Sequence, residues 1–179
     1  MTALPGPRKE SDEELAERAR RGDVAAVEAL YDRFGTGLLR LASHLTGSTD
    51  DAEDVIQDVF VGLPLALNRY VDRGRLDSWL RRLTARTALM RMRQIRRRRE
   101  AVLGGREFAV PAVDPAARLD LEAAINRLPS PLRTVFVLHK IAGYSHSEIA
   151  TLIGIRRGTS EVRFHRAIRL LQKMLGTGR

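Results

Sequence analysis

The chain has 179 residues, of which 44% are hydrophobic and 30% are charged, and it carries a formal net charge of +9. This length suits one medium domain or two small ones, and the composition excludes disorder throughout. Because the chain contains no cysteine, disulfide bonds and thiolate metal sites are excluded, while the basic charge favours a polyanionic partner such as nucleic acid.

The first predicted elements are a tail and two helices. Residues 1–10 contain two prolines and a glycine, which predicts a flexible tail. The residues from Ser11 to Glu14 have the capping-box pattern, so a short helix is expected to run to about Arg21. The second helix ends at Gly47 and has apolar residues at steps of three and four, which predicts one buried stripe. These apolar residues are Val27, Tyr31, Phe34, Leu38, Leu41 and Leu45.

The third predicted helix is acidic on one side. Ser48 or Thr49 caps its start, and Gly62 and Pro64 are expected to bend or end it, because proline donates no backbone hydrogen bond. Its predicted core face is Ala52, Val55, Ile56, Val59, Phe60 and Leu63. Its opposite face carries Asp51, Asp54 and Asp58. A polar connection follows at residues 68–75.

A fourth helix is predicted from Asp77 or Ser78 to about Arg98. From Arg81 to Arg99 the chain has nine arginines and no acidic residue, which suits contact with a DNA backbone, although a solvated basic helix has the same pattern. The predicted buried stripe is Leu76, Leu80, Leu83, Thr87 and Met90. The predicted basic face is Arg82, Arg86, Arg93 and Arg97.

Two clusters of side chains each allow more than one interpretation. Tyr70 and Trp79 flank the start of the basic helix, where aromatic rings can stack on unpaired bases or belong to the core. The carboxylates of Asp51, Asp54 and Asp58 can simply favour the positive end of the helix dipole, or they can bind a divalent metal. We prefer a docking surface for a basic protein partner.

A flexible linker is predicted at residues 101–117, where two adjacent glycines and two prolines disfavour regular structure. It separates the first helical block from a second one. That block begins with a helix at residues 121–128. The next helix has Ser130 as its predicted N-cap and is apolar nearly all round at residues 132–141, which suits a buried central helix.

The last two predicted helices have helix-turn-helix spacing. A capping box at Ser145 opens a short helix that reaches Ile153, and Gly154 permits a turn. The final helix runs from about Arg157 to Leu175 and carries arginine on its outer side. Such a helix can enter the major groove, where arginine contacts guanine edges and phosphates. The alternative is an ordinary helical hairpin with a solvated basic face.

Three stretches, in order, resemble the extracytoplasmic-function (ECF) group of bacterial sigma-70 factors. The first runs from Leu45 to Phe60, the second is Ser78-Trp79-Leu80, and the third extends from Leu128 to Ala167. The resemblance covers roughly residues 12–175. It implies an all-α fold with two small helical domains joined by a flexible linker, the C-terminal one a helix-turn-helix.

The resemblance also implies domain roles and contact residues. The domain at 11–100 would bind core RNA polymerase and would melt and read the −10 promoter element, and the domain at 118–176 would read the −35 element. The implied polymerase contacts are Asp51, Asp54, Gln57, Asp58 and Phe60. The implied −10 contacts are Asn68, Arg69, Tyr70, Arg75, Trp79, Arg82, Arg86 and Arg93. The implied −35 contacts are Arg156, Arg157, Thr159, Ser160, Glu161, Arg163 and Arg166.

Two features depart from the family pattern. Glu161 stands where members often have lysine, and in a groove-facing region an acid repels phosphate or accepts from a cytosine amino group. The break at Gly62 and Pro64 interrupts a helix that is often continuous in relatives, which bears on the shape of the −10 reader.

The sequence therefore predicts a sigma factor that directs promoter recognition and transcription initiation, with no catalytic residue, metal or cofactor. Its expected partners are core RNA polymerase, promoter DNA and an anti-sigma protein. We expect it to be cytoplasmic, not inserted in a membrane, and monomeric when free. One alternative is a helix-turn-helix regulator that acts without polymerase. Another is a magnesium-dependent nuclease that uses Asp51, Asp54 and Asp58.

Overall fold

The computed structural model describes residues 10–71, 74–103 and 121–176, and the regular structure in these ranges is entirely helical. This confirms the all-α prediction. The first block comprises α1 (Asp12–Arg20), α2 (Val24–Thr46), α3 (Thr49–Val61), α4 (Leu63–Ala66), a 3₁₀ turn (Leu67–Arg69) and α5 (Leu76–Leu103). The second block comprises α6 (Leu121–Arg127), α7 (Ser130–Lys140), α8 (His146–Ile153) and α9 (Arg157–Met174).

Local capping sets most helix boundaries. Ser11 and Ser145 each form a complete capping box at the start of α1 and α8, as predicted. Ser48, rather than Thr49, caps α3. Gly47 ends α2 in the left-handed conformation at φ 73°, which favours glycine. The break at Gly62 is confirmed, because α3 ends at the preceding residue and a separate short helix follows.

The basic helix α5 differs from its prediction in length and register. It begins at Leu76 and continues to Leu103, so it includes the first three residues of the predicted linker, whereas residues 104–117 lie outside the described ranges. Met90 is 55% exposed, which makes its predicted burial wrong. The buried face is instead formed by Leu76, Leu80, Thr84, Ala85, Ala88 and Leu89. Small side chains at three of these positions let α5 lie close to α2 and α3.

The two blocks share one hydrophobic core, because α2 of the first block packs on α7 of the second. Polar contacts flank this junction. The Nδ1 atom of His44 lies 2.7 Å from the Oδ1 atom of Asn126, and the guanidinium of Arg40 lies 2.9 Å from the Glu122 carboxylate. The described residues therefore form a closed arrangement in which the second block rests on the first.

A buried arginine lies at the same junction, within a helix predicted to be apolar nearly all round. Arg133 is only 8% exposed, and its Nη1 atom donates to the Asn126 carbonyl at 2.8 Å. A Cβ atom added at Gly47 would stand 3.1 Å from Nη2 of Arg133, so the absence of a side chain there makes room for the guanidinium. Burial lowers the pKa of Arg133. Ser130 is the first residue of this helix and Pro129 is its cap, which corrects the predicted N-cap.

Candidate nucleic-acid interface

The helix-turn-helix prediction is confirmed in α8 and α9. Gly154 has φ 70°, and Arg156 is extended before α9 begins, so the chain reverses direction within a few residues. Ile149 of α8 and Ala167 of α9 are fully buried, and Leu171 is 4% exposed. These side chains pack the recognition helix α9 against the core, which leaves its opposite side open to solvent.

Most residues predicted to contact the −35 element lie on the outer side of α9. Arg156, Arg157 and Arg166 are exposed, whereas Thr159 and Arg163 are half-buried. Glu161 accepts a hydrogen bond from Nε of Arg157 at 2.9 Å. The acid at this position, where family members often have lysine, therefore forms an ion pair with a residue one helical turn earlier.

Ser160 is an exception among these predicted contacts. It is fully buried, and its Oγ atom lies 2.9 Å from Nδ1 of His146. The prediction that Ser160 contacts DNA is therefore wrong. A serine is small enough to be buried where α8 meets α9, and there its hydroxyl finds a polar partner within the protein.

The predicted −10 contacts divide into an exposed set and a packed pair. Tyr70 is 8% exposed, and its ring centroid lies 5.3 Å from that of the half-buried Trp79. The Tyr70 hydroxyl accepts a hydrogen bond from the Arg75 amide at 3.3 Å. Tyr70 thus belongs to the core and holds the loop before α5, which corrects its predicted role in base stacking. Exposed members of the set are Asn68, Arg69, Arg75, Arg86 and Arg93.

Arg82, another predicted −10 contact, is held by the second block. Its guanidinium donates to the Gly143 carbonyl at 2.7 Å and to the Glu148 carboxylate at 2.8 Å. It also lies 4.7 Å from the Tyr144 ring centroid, and the Tyr144 hydroxyl donates to the Arg82 carbonyl at 3.0 Å. Hydrogen bonds from Ser145, with the pairing to Arg82, lower the pKa of Glu148.

Arg93 makes a similar contact, because its guanidinium donates to the Leu152 carbonyl of α8. Sequence reasoning missed all these partners of the basic face. Glu148 was recognised only as part of a capping box, and a carbonyl acceptor leaves no signature in side-chain identity. In this closed arrangement, one N–H of Arg82 and one of Arg93 donate to acceptors of α8.

The acidic side of α3 is partly neutralised within the chain. Arg91 of α5 pairs with Asp54 and lies 3.4 Å from Asp51. Gln57 and Asp58 are exposed. Within the described residues no three His, Asp or Glu side chains are arranged to hold a metal ion, so the geometry gives no support to a nuclease site.

An apolar groove of about 690 Å³ borders this acidic side. Phe60 lines it although it is only 8% exposed, and its ring meets Tyr31 edge-on at 5.1 Å between centroids. Tyr31 is 50% exposed and Val61 is 79% exposed. Phe60 therefore supports the floor of the groove. The exposed apolar surface comes from Val61, which the sequence did not single out, and from Tyr31, whose predicted burial in the stripe of α2 is wrong.

None of the helices in the described part of the chain is long and apolar enough to span a membrane.

Two family models match the chain, and together they cover both blocks. The model of sigma-70 region 2 matches residues 30–99, and the model of sigma-70 region 4 matches residues 118–171. The first match contains α3 and most of α5, and the second contains the helix-turn-helix. The two matches occur along the chain in the same order as the three sequence stretches that resemble the family.

Curated relatives and solved structures give the same result. CarQ of Myxococcus xanthus, an RNA polymerase sigma factor, is 30% identical over 166 residues, which cover 89% of this chain and 95% of CarQ. The ECF sigma factor SigE of Mycolicibacterium smegmatis is 34% identical over 86% of this chain, which spans 64% of SigE. The sigma factor RpoE of Bartonella quintana, solved with the anti-sigma factor NepR, has a TM-score of 0.59 at 25% identity, covering 85% of this chain and 98% of RpoE.

Proposed function

Since the chain belongs to the ECF group of sigma-70 factors, we propose that it recruits core RNA polymerase to specific promoters and acts by binding alone. The observation that carries this proposal is the pair of family matches, in order, on two helical blocks with exposed arginines. Arginine positions such a protein on phosphates and reads guanine edges. The chain would act in the cytoplasm, where bacterial RNA polymerase works.

Run-off transcription with purified core polymerase and genomic promoter fragments tests the proposal. We expect defined transcripts that depend on the chain. The alternative of a regulator that acts alone predicts tight binding of the isolated chain to duplex DNA and no association with core polymerase. That combination of results would overturn the proposal.

The division of labour between the blocks is part of the proposal. The first block, within the predicted boundaries 11–100, would dock on polymerase through the acidic side of α3 and would hold melted −10 DNA near α5. The second block, within 118–176, would present α9 to the −35 element. Two weak sites on one chain bind more tightly than either site alone once polymerase aligns both with the promoter.

Replacing Asp58 with arginine is expected to weaken association with core polymerase by about tenfold, because a like charge is then placed against a basic partner surface. Asp58 is exposed, so the substitution disturbs no packed side chain. Glu17→Arg makes the same charge change on an exposed site of α1 and should leave association unchanged. Affinity is measured with labelled chain and purified core enzyme. Equal effects from both variants would contradict a docking role for α3.

Opening of the closed arrangement is a further part of the proposal. Two of the five N–H groups of the Arg82 guanidinium are bonded to Gly143 and Glu148, so a DNA phosphate competes with the second block for this side chain. We infer that the second block leaves α5 when the −10 strand binds. On this inference the chain alone binds DNA weakly.

Replacing Glu148 with glutamine is expected to tighten binding of the free chain to single-stranded oligothymidine by about twofold to fivefold, the range for a partly exposed ion pair. Glutamine keeps the capping box but removes the charge that holds Arg82. Glu17→Gln, which makes the same charge change beside Arg20 within α1, is the matched control. Fluorescence anisotropy at constant salt measures both. Unchanged affinity in Glu148→Gln would show that this contact does not restrain α5.

We further propose an anti-sigma protein as a partner, and a monomeric state in its absence. Support comes from RpoE, solved with the anti-sigma factor NepR, and from CnrH, solved with the cytosolic domain of CnrY, which is 29% identical with a TM-score of 0.53 and covers 95% of this chain and 100% of CnrH. Purification of the tagged chain from its own cells, followed by identification of a stoichiometric partner that blocks run-off transcription, tests this.

A further inference from the structure

Two histidine rings are stacked where α7, α8 and α9 meet. The ring centroids of His139 and His146 are 4.3 Å apart with an angle of 18° between planes. Phe164 meets the two rings at 4.7 Å and 5.5 Å, edge to face in both cases. The pair therefore belongs to the packing of the second block, and we call it the histidine pair.

The histidine pair is connected to the recognition helix by one hydrogen bond. His146, the first residue of α8, reaches Oγ of Ser160 in the first turns of α9 at 2.9 Å from Nδ1. Ser160 is fully buried, so this contact fixes α9 against α8 from the inside. The exposed Arg156 and Arg157 lie a few residues before Ser160 on the outer side. A shift of Ser160 would therefore move both arginines.

His139 fixes the orientation of the stack. Its Nδ1 atom lies 2.7 Å from the Tyr144 carbonyl oxygen, and because a carbonyl only accepts, the Nδ1 atom carries a proton and donates it. A second proton on this ring leaves that bond intact but adds a positive charge 4.3 Å from the His146 ring. The pair therefore accommodates two neutral rings far better than two cationic ones.

We propose that His146 is a positioning residue for −35 recognition, that it aligns α9 through Ser160, and that a positive charge on the His146 ring, stacked on His139 and close to Arg157, weakens this alignment in mild acid. The inference rests on the proposed role of α9 at the −35 element. It adds a pH-sensitive contact on the inner side of the recognition helix, away from the surface that meets DNA.

The charges around His146 oppose its protonation. From α7 it faces His139, with Lys140 nearby at 5.8 Å from the Phe164 ring. From α9 it faces Arg157 and His165, and the acid on that helix is Glu161. Burial first, and His139 second, lower the pKa of His146, while Glu161 acts in the opposite direction.

The direction of the pH effect follows from this lowered pKa. A histidine that is kept neutral in the fold contributes its full stabilisation above the ordinary pKa of 6.5. That contribution is lost as the pH falls below this value, because the misaligned state then binds more protons. The uncharged stack is thus favoured at neutral pH. In mild acid the positive charge on His146 is repelled by Arg157 and destabilises the position of the ring beside His139, although its Nδ1–H can still donate to the Ser160 hydroxyl.

Affinity for DNA across pH provides the first test. The full chain with core polymerase selects a duplex from a randomised library at neutral pH, and its affinity for that duplex is then followed between about pH 7.5 and 5.5. We expect the affinity of the wild type to fall about fivefold, the equivalent of one buried hydrogen bond. Since a nearby cation strengthens DNA binding, ordinary histidine protonation predicts the opposite sign.

Three variants separate alignment from general stability. His146→Asn places an amide near the Nδ1 position and cannot be protonated, so it should match the wild type at neutral pH and show no acid loss. Ser160→Ala should bind about fivefold more weakly at neutral pH and should also lack the acid loss. His165→Gln removes an exposed histidine of α9 that also opposes protonation of His146, so it should keep the acid loss, with the midpoint moved to slightly higher pH. Parallel profiles for the wild type and His146→Asn would overturn the inference.

NMR titration of the full chain provides a test without DNA. The Ser160 amide shift should follow the titration of the His146 ring in the wild type and should stay constant in His146→Asn. If the two signals titrate independently, the alignment role fails whatever the DNA results are. If no duplex is selected from the library although the two signals are coupled, the −35 role of α9 fails instead.

Discussion

Replacing Leu138 with alanine is expected to lower the free energy of unfolding by about 2–5 kcal/mol, because the change removes buried methyl groups and leaves a cavity. Leu138 is fully buried in α7, the helix against which α9 packs. Urea unfolding followed by circular dichroism measures the loss. Run-off transcription should fall with it, since α9 is then no longer held in place.

Leu170→Ala is the matched control for this substitution. It removes the same atoms from α9, but Leu170 is 37% exposed, so the free energy of unfolding should change by no more than about 0.5 kcal/mol. A loss of similar size from both variants would contradict the assignment of α7 as the central helix of the second block.

Replacing Arg156 and Arg166 together with alanine is expected to weaken promoter binding by the chain–polymerase complex by about a hundredfold. Each bidentate contact of an arginine to a guanine contributes roughly 1–3 kcal/mol of discrimination, and both side chains are exposed on the recognition helix or just before it. If the contacts are instead to phosphates, the logarithmic salt slope should drop by about two. Anisotropy of a labelled promoter fragment over a salt series measures both quantities.

Arg21→Ala is the control for the double variant. Arg21 is exposed at the end of α1 and is not among the predicted DNA contacts, so its removal lowers the net charge with little effect on promoter affinity. Association with core polymerase should be unchanged in all three proteins. Retention of full promoter affinity by the double variant would remove α9 from the −35 assignment.

The features that could be predicted from sequence are those set by neighbours along the chain. The capping box of α8 needs only Ser145 and Glu148, three residues apart. Gly154 marks the turn that follows α8 within the same segment. The helix break at Gly62 is equally local. For this reason the helix-turn-helix and most helix ends agree with the structure to within a few residues.

The features that could not be predicted depend on contacts between distant segments. Ser160 was assigned to DNA through the family resemblance, but its partner His146 lies fourteen residues away on another helix. Arginine is usually found at the surface, but Gly47 has no side chain and so leaves space for the Arg133 guanidinium inside the junction. The buried face of α5 differs from the predicted one because alanines, rather than the larger Met90, allow close helix packing.

The bond between Arg82 and the Gly143 carbonyl has a consequence for stoichiometry. Unassembled chains that keep this contact would bind DNA with an apparent affinity reduced by their open fraction. On the proposed function, surplus chain would therefore compete poorly with the assembled enzyme for promoters. Transcript output would rise with the number of assembled complexes and then level off, rather than decline, as synthesis of the chain exceeds the supply of polymerase.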